Sequence, residues 1–374
     1  MPFISPYQSR RPKPSQPRRL YEPQRDDGQR QPTHDRRRRA HIPTPQWDNA
    51  PIFQKRRRIA LIVLCTLVII IALIIGLTVH KSSSPSTVPL EKPQETEQHV
   101  RHDSSETLSA AQLDAIPRTP RLIVAVPGTW ETSSTTNPSK PVGMLTFVSS
   151  KKDSSTGVFF LPYPAQFRST GHGDDMTYND SRAIGVTRLI QTIDHYLSQQ
   201  PEGNVIVVGF SQGAVIAGDT LTAIGNNMTT IDPYHVAAGL LLADGRREVG
   251  FGENVGGKKM APQGLEVSLA SLGKKSEVFF RGTGATMTGS RGQNFGVLRS
   301  RVYQLCHPQD PICASPSFHD ASPQELMRQF THVASTYSTH HSGYAKEKDP
   351  IWGNMTALRW MSMKMNKILA VLPS

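Results

Sequence analysis

Cysteine is scarce, with three among 374 residues, and that excludes a disulfide-dense scaffold. Cys65 lies inside an apolar run, where it serves as a small apolar residue, so Cys306 and Cys313 are the two left for the rest of the chain. Two cysteines alone in an exported domain suggest one disulfide. Metal binding is the alternative, because His307 and Asp310 lie close by, but the sequence offers no second cluster to complete a site. Residues 1–58 have few large apolar side chains and carry 15 Lys or Arg against 5 Asp or Glu. Such a segment cannot bury enough surface to offset backbone ordering, and it is expected to be disordered. It also holds ten of the twelve net positive charges, which leaves +2 for residues 59–374. The remaining chain therefore lacks the basic surface that nucleic acid requires, and no nucleic-acid partner is expected.

A second absence is of charge between Ile59 and Val79, a run of 21 residues. As a helix it spans about 31 Å, which matches a bilayer core. Lys55 to Arg58 flank it on one side, whereas His80 and Lys81 lead into a Ser/Pro stretch, so the positive-inside rule keeps the N-terminus cytoplasmic. No small-x-small cleavage site follows, which disfavours a signal peptide. The expected order is a basic cytoplasmic tail over 1–58, a plasma-membrane span over 59–79, an extracytoplasmic linker over 80–118 and a folded domain over 119–374. The tail's partner is left open by the sequence: anionic inner-leaflet lipid is the simplest expectation, and a cytoplasmic protein is the alternative. Within the linker, rich in Ser, Pro, Glu and Gln, a short helix is expected near Ala110 to Ala115. About 250 residues then remain from Arg121 onward, enough for one sizeable α/β core.

Within that domain, Gly209-Phe210-Ser211-Gln212-Gly213 follows the β-branched run Val205 to Val208 and precedes a small-residue helix over Ala214 to Leu221. A strand that ends in Gly-x-Ser-x-Gly and turns into a helix lifts the serine oxygen clear of the sheet. A serine hydroxyl needs a histidine to take its proton and a carboxylate to orient that histidine. Downstream, the apolar strand Val302 to Leu305 runs into Cys306-His307-Pro308-Gln309-Asp310-Pro311-Ile312-Cys313, and Asp310, at a strand end in a cross-linked loop, is the candidate acid. Candidate bases are His307, His319, His332, His340 and His341. His307 is tied to the acid's own loop. His332 falls in a helix opened by the capping box Ser322-Pro323-Gln324-Glu325. His340 and His341 lie beyond that helix and are not separated by the residues alone.

For the oxyanion, the residue after the nucleophile supplies one backbone N–H, here Gln212. The strand Leu122 to Val126 leads into Pro127-Gly128-Thr129-Trp130-Glu131, where Gly128 permits close approach and Thr129 offers a second donor.

These pieces together resemble the cutinase-like serine esterases over about residues 121 to 345. The residues that carry the resemblance are Gly-Phe-Ser-Gln-Gly, an upstream Gly-Thr-x-Glu, and an acid four residues into a Cys-x6-Cys loop. In that family a His-x-x-Tyr histidine completes the triad. The resemblance therefore selects His341, three residues before Tyr344, and implies Ser211, Asp310 and His341 as catalytic, with Thr129 and Gln212 at the oxyanion. Asp244 and Arg246 match a post-strand Asp-x-Arg element and are read as structural. Fungal cutinases have a second disulfide and a short acid-to-histidine segment, whereas here 31 positions separate Asp310 from His341. That spacing and the anchor look like the cell-envelope lipases of mycobacteria and corynebacteria, for which phospholipase, thioesterase and mycolic-acid roles are implied.

The resulting expectation is an α/β-hydrolase three-layer sandwich with a mainly parallel sheet that cleaves acyl esters with no cofactor and no metal. An acyltransferase using the same residues and a non-catalytic envelope module are the alternatives. Residues 245–298, Gly- and Lys-rich around the apolar patches 265–272 and 278–280, are expected to border an acyl pocket or form a flap. Leu358, Met361, Met365, Ile368 and Leu372 share one face of a C-terminal helix, expected to pack on the core or dock on the membrane surface.

Overall fold

Runs of β-branched and other apolar residues form strands here because a parallel sheet buries both of its faces, so no alternation with polar residues is needed. The computed structural model describes residues 106–168, 172–255, 263–272, 289–318 and 337–373, with 321, 322, 324–326, 328, 331 and 332 besides. The basic tail, the run 59–79 and residues 80–105 lie outside the described residues. Among the described residues no helix is long and apolar enough to cross a membrane. In chain order the main elements are α1 (Ala110–Asp114), β1 (Arg121–Val126), β2 (Thr156–Phe160), α2 (Tyr178–Gln199), β3 (Asn204–Phe210), α3 (Gln212–Gly225) and β4 (Val236–Leu242). There follow β5 (Glu253–Val255), α4 (Leu265–Ala270), β6 (Val302–Leu305), β7 (Lys348–Asp349), β8 (Met355–Thr356) and α5 (Ala357–Leu369).

Six strands form one sheet in the order β2-β1-β3-β4-β6-β5, and every pair in it is parallel. From β1 the chain moves first to β2 on one side and then to β3 on the other. The order thus reverses between β1 and β3, and the loops leaving their carboxyl ends diverge there. This is where α/β sheets bind ligands. Register carries the consequence to named residues, since Val126 pairs with Gly209, so the turn after β1 and the turn after β3 begin side by side.

One face of the sheet packs Leu122, Val124, Val205 and Val207 beneath Leu189 and Ile193 of α2 and Ala214, Ala217 and Leu221 of α3. The opposite face packs Ile123, Ala125, Ile206 and Val208 against Leu145, Val148, Tyr344, Trp352 and the α5 residues Met361 and Met365. Burying each large apolar side chain contributes about 1.5–3 kcal/mol before conformational entropy is subtracted. Helix α5 therefore packs on the core as its apolar face requires, with Leu358, Ile368 and Leu372 partly buried around it.

One boundary differs from the sequence reading. Leu108 and Ile116 are buried in the α2–α3 core, and α1 between them carries a Ser109–Gln112 capping box. The Leu108 N–H donates to the Gln191 side chain at 2.7 Å, and Gln112 Nε2 donates to the Ser134 carbonyl at 2.8 Å. The end of the linker, from about residue 107, is thus docked on the domain. Its polar composition hides two apolar contacts placed one on each side of a single capped turn.

Candidate active site

The strand β3 ends at Phe210, and the helix α3 begins at Gln212, so the whole reversal falls on Ser211. Its backbone adopts φ 53 and ψ −122, a region that costs a residue with a Cβ about 1–3 kcal/mol. Neighbours hold it there. The Ser211 N–H donates to the Leu242 carbonyl at 3.0 Å, and the flanking glycines admit the backbone contacts of the turn. A Cβ at Gly213 would overlap the carbonyl oxygens of Val126 and Pro127, and one at Gly209 would overlap the Gly213 carbonyl. The elbow therefore presses directly on the turn that follows β1.

That turn is clamped from below. Glu131 accepts the Gly128 N–H at 2.9 Å and the Met144 N–H at 2.8 Å, while the Trp130 N–H donates to the Ala165 carbonyl at 2.7 Å. Burial pushes the Glu131 carboxyl above its ordinary value, and the two N–H donors and the nearby His341 only partly offset this. Thr129 sits half-buried at the crest of the turn. Gln212 turns its side chain aside, with Nε2 donating to the Gln166 carbonyl at 3.1 Å and Oε1 accepting from Ser181 at 3.4 Å. Its backbone N–H belongs to the first turn of α3, where helices leave donors without intrahelical partners and carry a partial positive charge.

His341 closes a π-type turn over Tyr337–His341. Its Nε2 lies 2.9 Å from Ser211 Oγ, across 130 positions of sequence. Its Nδ1 lies 2.9 Å and 3.1 Å from the two oxygens of Asp310. The Phe210 ring stacks on the imidazole at 5.2 Å, so the residue before the serine also steers the base. Hydroxyl, imidazole and carboxylate thus form one hydrogen-bonded line, able to pass a proton from oxygen to nitrogen while the acid stays ionised.

Asp310 is fully buried in the loop closed by the Cys306–Cys313 disulfide. Burial alone would push its carboxyl up, yet His341, the Tyr344 hydroxyl and the Ile312 N–H outweigh it and hold the group below the usual carboxylate range. Tyr344 donates to Asp310 Oδ2 at 2.6 Å and accepts the His307 N–H at 3.1 Å. Burial, then the adjacent Asp310, raises the Tyr344 phenol well above its ordinary value, so it remains a donor. Behind this loop, buried Arg247 donates to the Cys313 carbonyl at 2.7 Å. Burial lowers Arg247 to about 10 against the pull of Asp244, Tyr344 and Asp310, which leaves it a cation at neutral pH.

The remaining candidates fall elsewhere. His332 is exposed, and His319 lies outside the described residues. His340, next to His341, faces away from the serine, with Nδ1 3.2 Å from Glu347 Oε2. His307 has Nε2 3.2 Å from Asp349 Oδ2, and His307, His340 and Glu347 bring ligand atoms within 4.8 Å of one another. Asp244 and Arg246 belong to a buried ionic cluster. Arg291 donates to Asp244 at 2.7 Å and to Asp219 at 2.9 Å, and Arg246 donates to Asp219 at 2.7 Å. This cluster ties α3 to the segment after β4. Of residues 245–298, the described parts supply β5 at the sheet edge, α4 and Arg291, while 256–262 and 273–288, including the patch 278–280, lie outside the described residues.

In the sequence Glu131, Phe210 and Tyr344 stand only as letters of the motifs, and Arg247 carries no motif signal. The signal for Tyr344 is its place in the His-x-x-Tyr pattern.

A family model for cutinase matches residues 122–345. A carboxylesterase Culp6 homolog of Corynebacterium glutamicum is 37% identical over 203 residues, a match that covers 52% of this chain and 65% of that protein. The chain thus spans just under two thirds of the relative's length. Among solved structures, the catalytic core domain of acetyl xylan esterase from Trichoderma reesei is 17% identical with a TM-score of 0.38, covering 60% of this chain and 97% of that one. A cutinase-like protein from Cryptococcus sp. is 15% identical with a TM-score of 0.33, covering 60% of this chain and 97% of that one.

Proposed function

The chain belongs to the cutinase family, and from that premise we propose that it is a membrane-anchored serine esterase that hydrolyses acyl esters through an acyl-Ser211 intermediate. The observation that carries this reading is the 2.9 Å contact between His341 Nε2 and Ser211 Oγ, with Asp310 on the opposite ring nitrogen. His341 takes the hydroxyl proton as Ser211 Oγ attacks the carbonyl carbon, and Asp310 stabilises the imidazolium that forms. The oxyanion accepts hydrogen bonds from the Gln212 N–H and from Thr129. Collapse of the intermediate expels the alcohol, which takes the proton from His341. Water then repeats the sequence in reverse and frees Ser211 and the acid.

The substrate class proposed is an acyl ester of a lipid or phospholipid, or an acyl thioester, within the cell envelope, in the metabolism of lipids such as mycolates. Its support is the uncharged run over 59–79 with its basic cytoplasmic flank, which would hold the domain beside its own substrates outside the plasma membrane.

A fluorophosphonate probe tests the chemistry on the full chain, because only an activated serine reacts readily. Wild type is expected to be labelled stoichiometrically, and Ser211→Ala to lose both labelling and ester turnover, with turnover down by at least about 10⁴ and the melting transition kept. Full turnover in that variant would sink the assignment. Deleting residues 1–79 should move labelled protein from the membrane to the soluble fraction; retention at the membrane would reject the anchor.

A further inference from the structure

The turn that carries Thr129 holds a side chain its backbone geometry disfavours. The Glu131 N–H donates to the Gly128 carbonyl at 3.1 Å, so residues 128–131 form a four-residue turn with Thr129 and Trp130 at its centre. Trp130 takes the third position with φ 59, where glycine is favoured and a bulky residue is strained. Its side chain is also 47% exposed, so core packing does not explain the choice. Contacts made by the indole must offset the strain.

Those contacts run to the segment after β2. Indole Nε1 donates to Asp175 Oδ2 at 2.8 Å, and the ring stacks on His172 with centroids 4.6 Å apart and planes 26° from parallel. The Trp130 backbone N–H donates to the Ala165 carbonyl at 2.7 Å. The next carbonyl, that of Gln166, accepts from Gln212 Nε2 at 3.1 Å. Two successive carbonyls thus grip the turn that carries Thr129 and the first residue of α3. Residues 165–168 and 172–176 are themselves tied together. Arg168 Nε donates to the Asp175 carbonyl at 2.8 Å, and the Met176 N–H donates to the Gln166 side chain at 2.8 Å.

We propose that Trp130 is a positioning residue, whose indole latches the oxyanion turn to residues 172–176 and so fixes Thr129 relative to the Gln212 N–H. This rests on the acyl-Ser211 reading, with Thr129 and Gln212 as the oxyanion donors. The latch acts on ψ of Thr129 and φ of Trp130, the two dihedrals that change when the central peptide of a turn flips between its common forms. With the latch closed, that peptide keeps its N–H on Ala165. Once it is released, the turn is free to flip and Thr129 swings out of line. An oxyanion donor acts on charge that develops in the transition state, so the loss falls on kcat and leaves KM unchanged.

The test uses the full chain, detergent-solubilised, and compares an ester with its thionoester, in which sulfur replaces the carbonyl oxygen and accepts hydrogen bonds weakly. Fluorophosphonate labelling carried to completion counts the folded sites, so kcat is expressed per labelled serine and a loss of folded protein does not enter. Glycine adopts the left-handed conformation without strain, so Trp130→Gly removes the latch and permits the turn. It is expected to lower kcat on the ester by about thirtyfold at constant KM, and on the thionoester by less than about threefold. Trp130→Phe, which keeps a ring on His172 but has no N–H, and Asp175→Ala should each lose about tenfold on the ester. The double variant should lose no more than either alone, because both remove the same bond. Ester turnover by Trp130→Gly within about twofold of wild type would overturn the latch, as would equal losses on ester and thionoester. A wild type that does not discriminate between the two substrates would sink the oxyanion reading itself, and the latch with it.

Discussion

The two halves of the site are built by different means. On the nucleophile side, five contiguous residues and the strand before them impose the geometry through backbone sterics, because Ser211 is held by glycines whose Cβ positions are already filled by other atoms. On the acid and base side, Asp310, His341, Tyr344, His307 and Arg247 come from three stretches of chain, joined by one disulfide and a set of side-chain hydrogen bonds. The first half is rigid because the alternatives clash. The second is rigid because its buried polar groups would otherwise go unpaired. One is thus sensitive to added volume and the other to removed donors.

Substitution on each side can sharpen or break this contrast. The largest effect expected is in chemistry, at Asp310→Asn. The volume is kept, but the imidazole loses the anion that orients it, so kcat should fall by about 10⁴ while KM changes little. A fall below tenfold would mean that Asp310 does not orient the base. Next comes Gly213→Ala, where the added methyl meets the carbonyls of Val126 and Pro127, atoms of a central strand end that cannot move aside. We expect a loss of about 3 kcal/mol in urea unfolding, and a loss under about 1 kcal/mol would show that the elbow is soft. The smallest is Tyr344→Phe, which removes one donor to Asp310 and strands the His307 N–H, for a cost of about 2 kcal/mol at neutral pH.

The last variant also makes a pH prediction. Asp310 in the folded protein ionises below its ordinary value, so its contribution to stability is complete above about pH 4 and is lost as pH falls through the lowered folded value. Without the phenol that value moves up. The acid unfolding midpoint of Tyr344→Phe should therefore lie at higher pH than that of wild type, and a lower midpoint would reject the role given to the phenol.

How much could be read from the sequence follows the same division. The elbow was legible because its determinants are local: β-branched residues before the serine, glycines beside it and small residues after it all fall within one window. Asp310 was readable as an acid at a strand end between two cysteines. The choice between His340 and His341 was open from the residues themselves, and only the family pattern with Tyr344 separated them. In the structure the two imidazoles face opposite ways, one to Ser211 and the other to Glu347. A π-type turn sets that difference, and periodicity does not reveal it. Asp219 and Arg291 meet across 72 positions, a pairing with no local signature. The docking of Leu108 and Ile116 was hidden for the opposite reason, since two apolar contacts are too few to mark a polar stretch as part of a core.

Because His341 and Tyr344 lie three residues apart and both bind Asp310, the imidazole and the phenol that steadies the carboxylate are expected to leave or stay as a unit. A fluctuation that peels this segment away removes the imidazole from Ser211 and leaves the buried Asp310 carboxylate with only the donors of its own loop, such as the Ile312 N–H. Partly assembled states would thereby be rare, as in a switch with two positions.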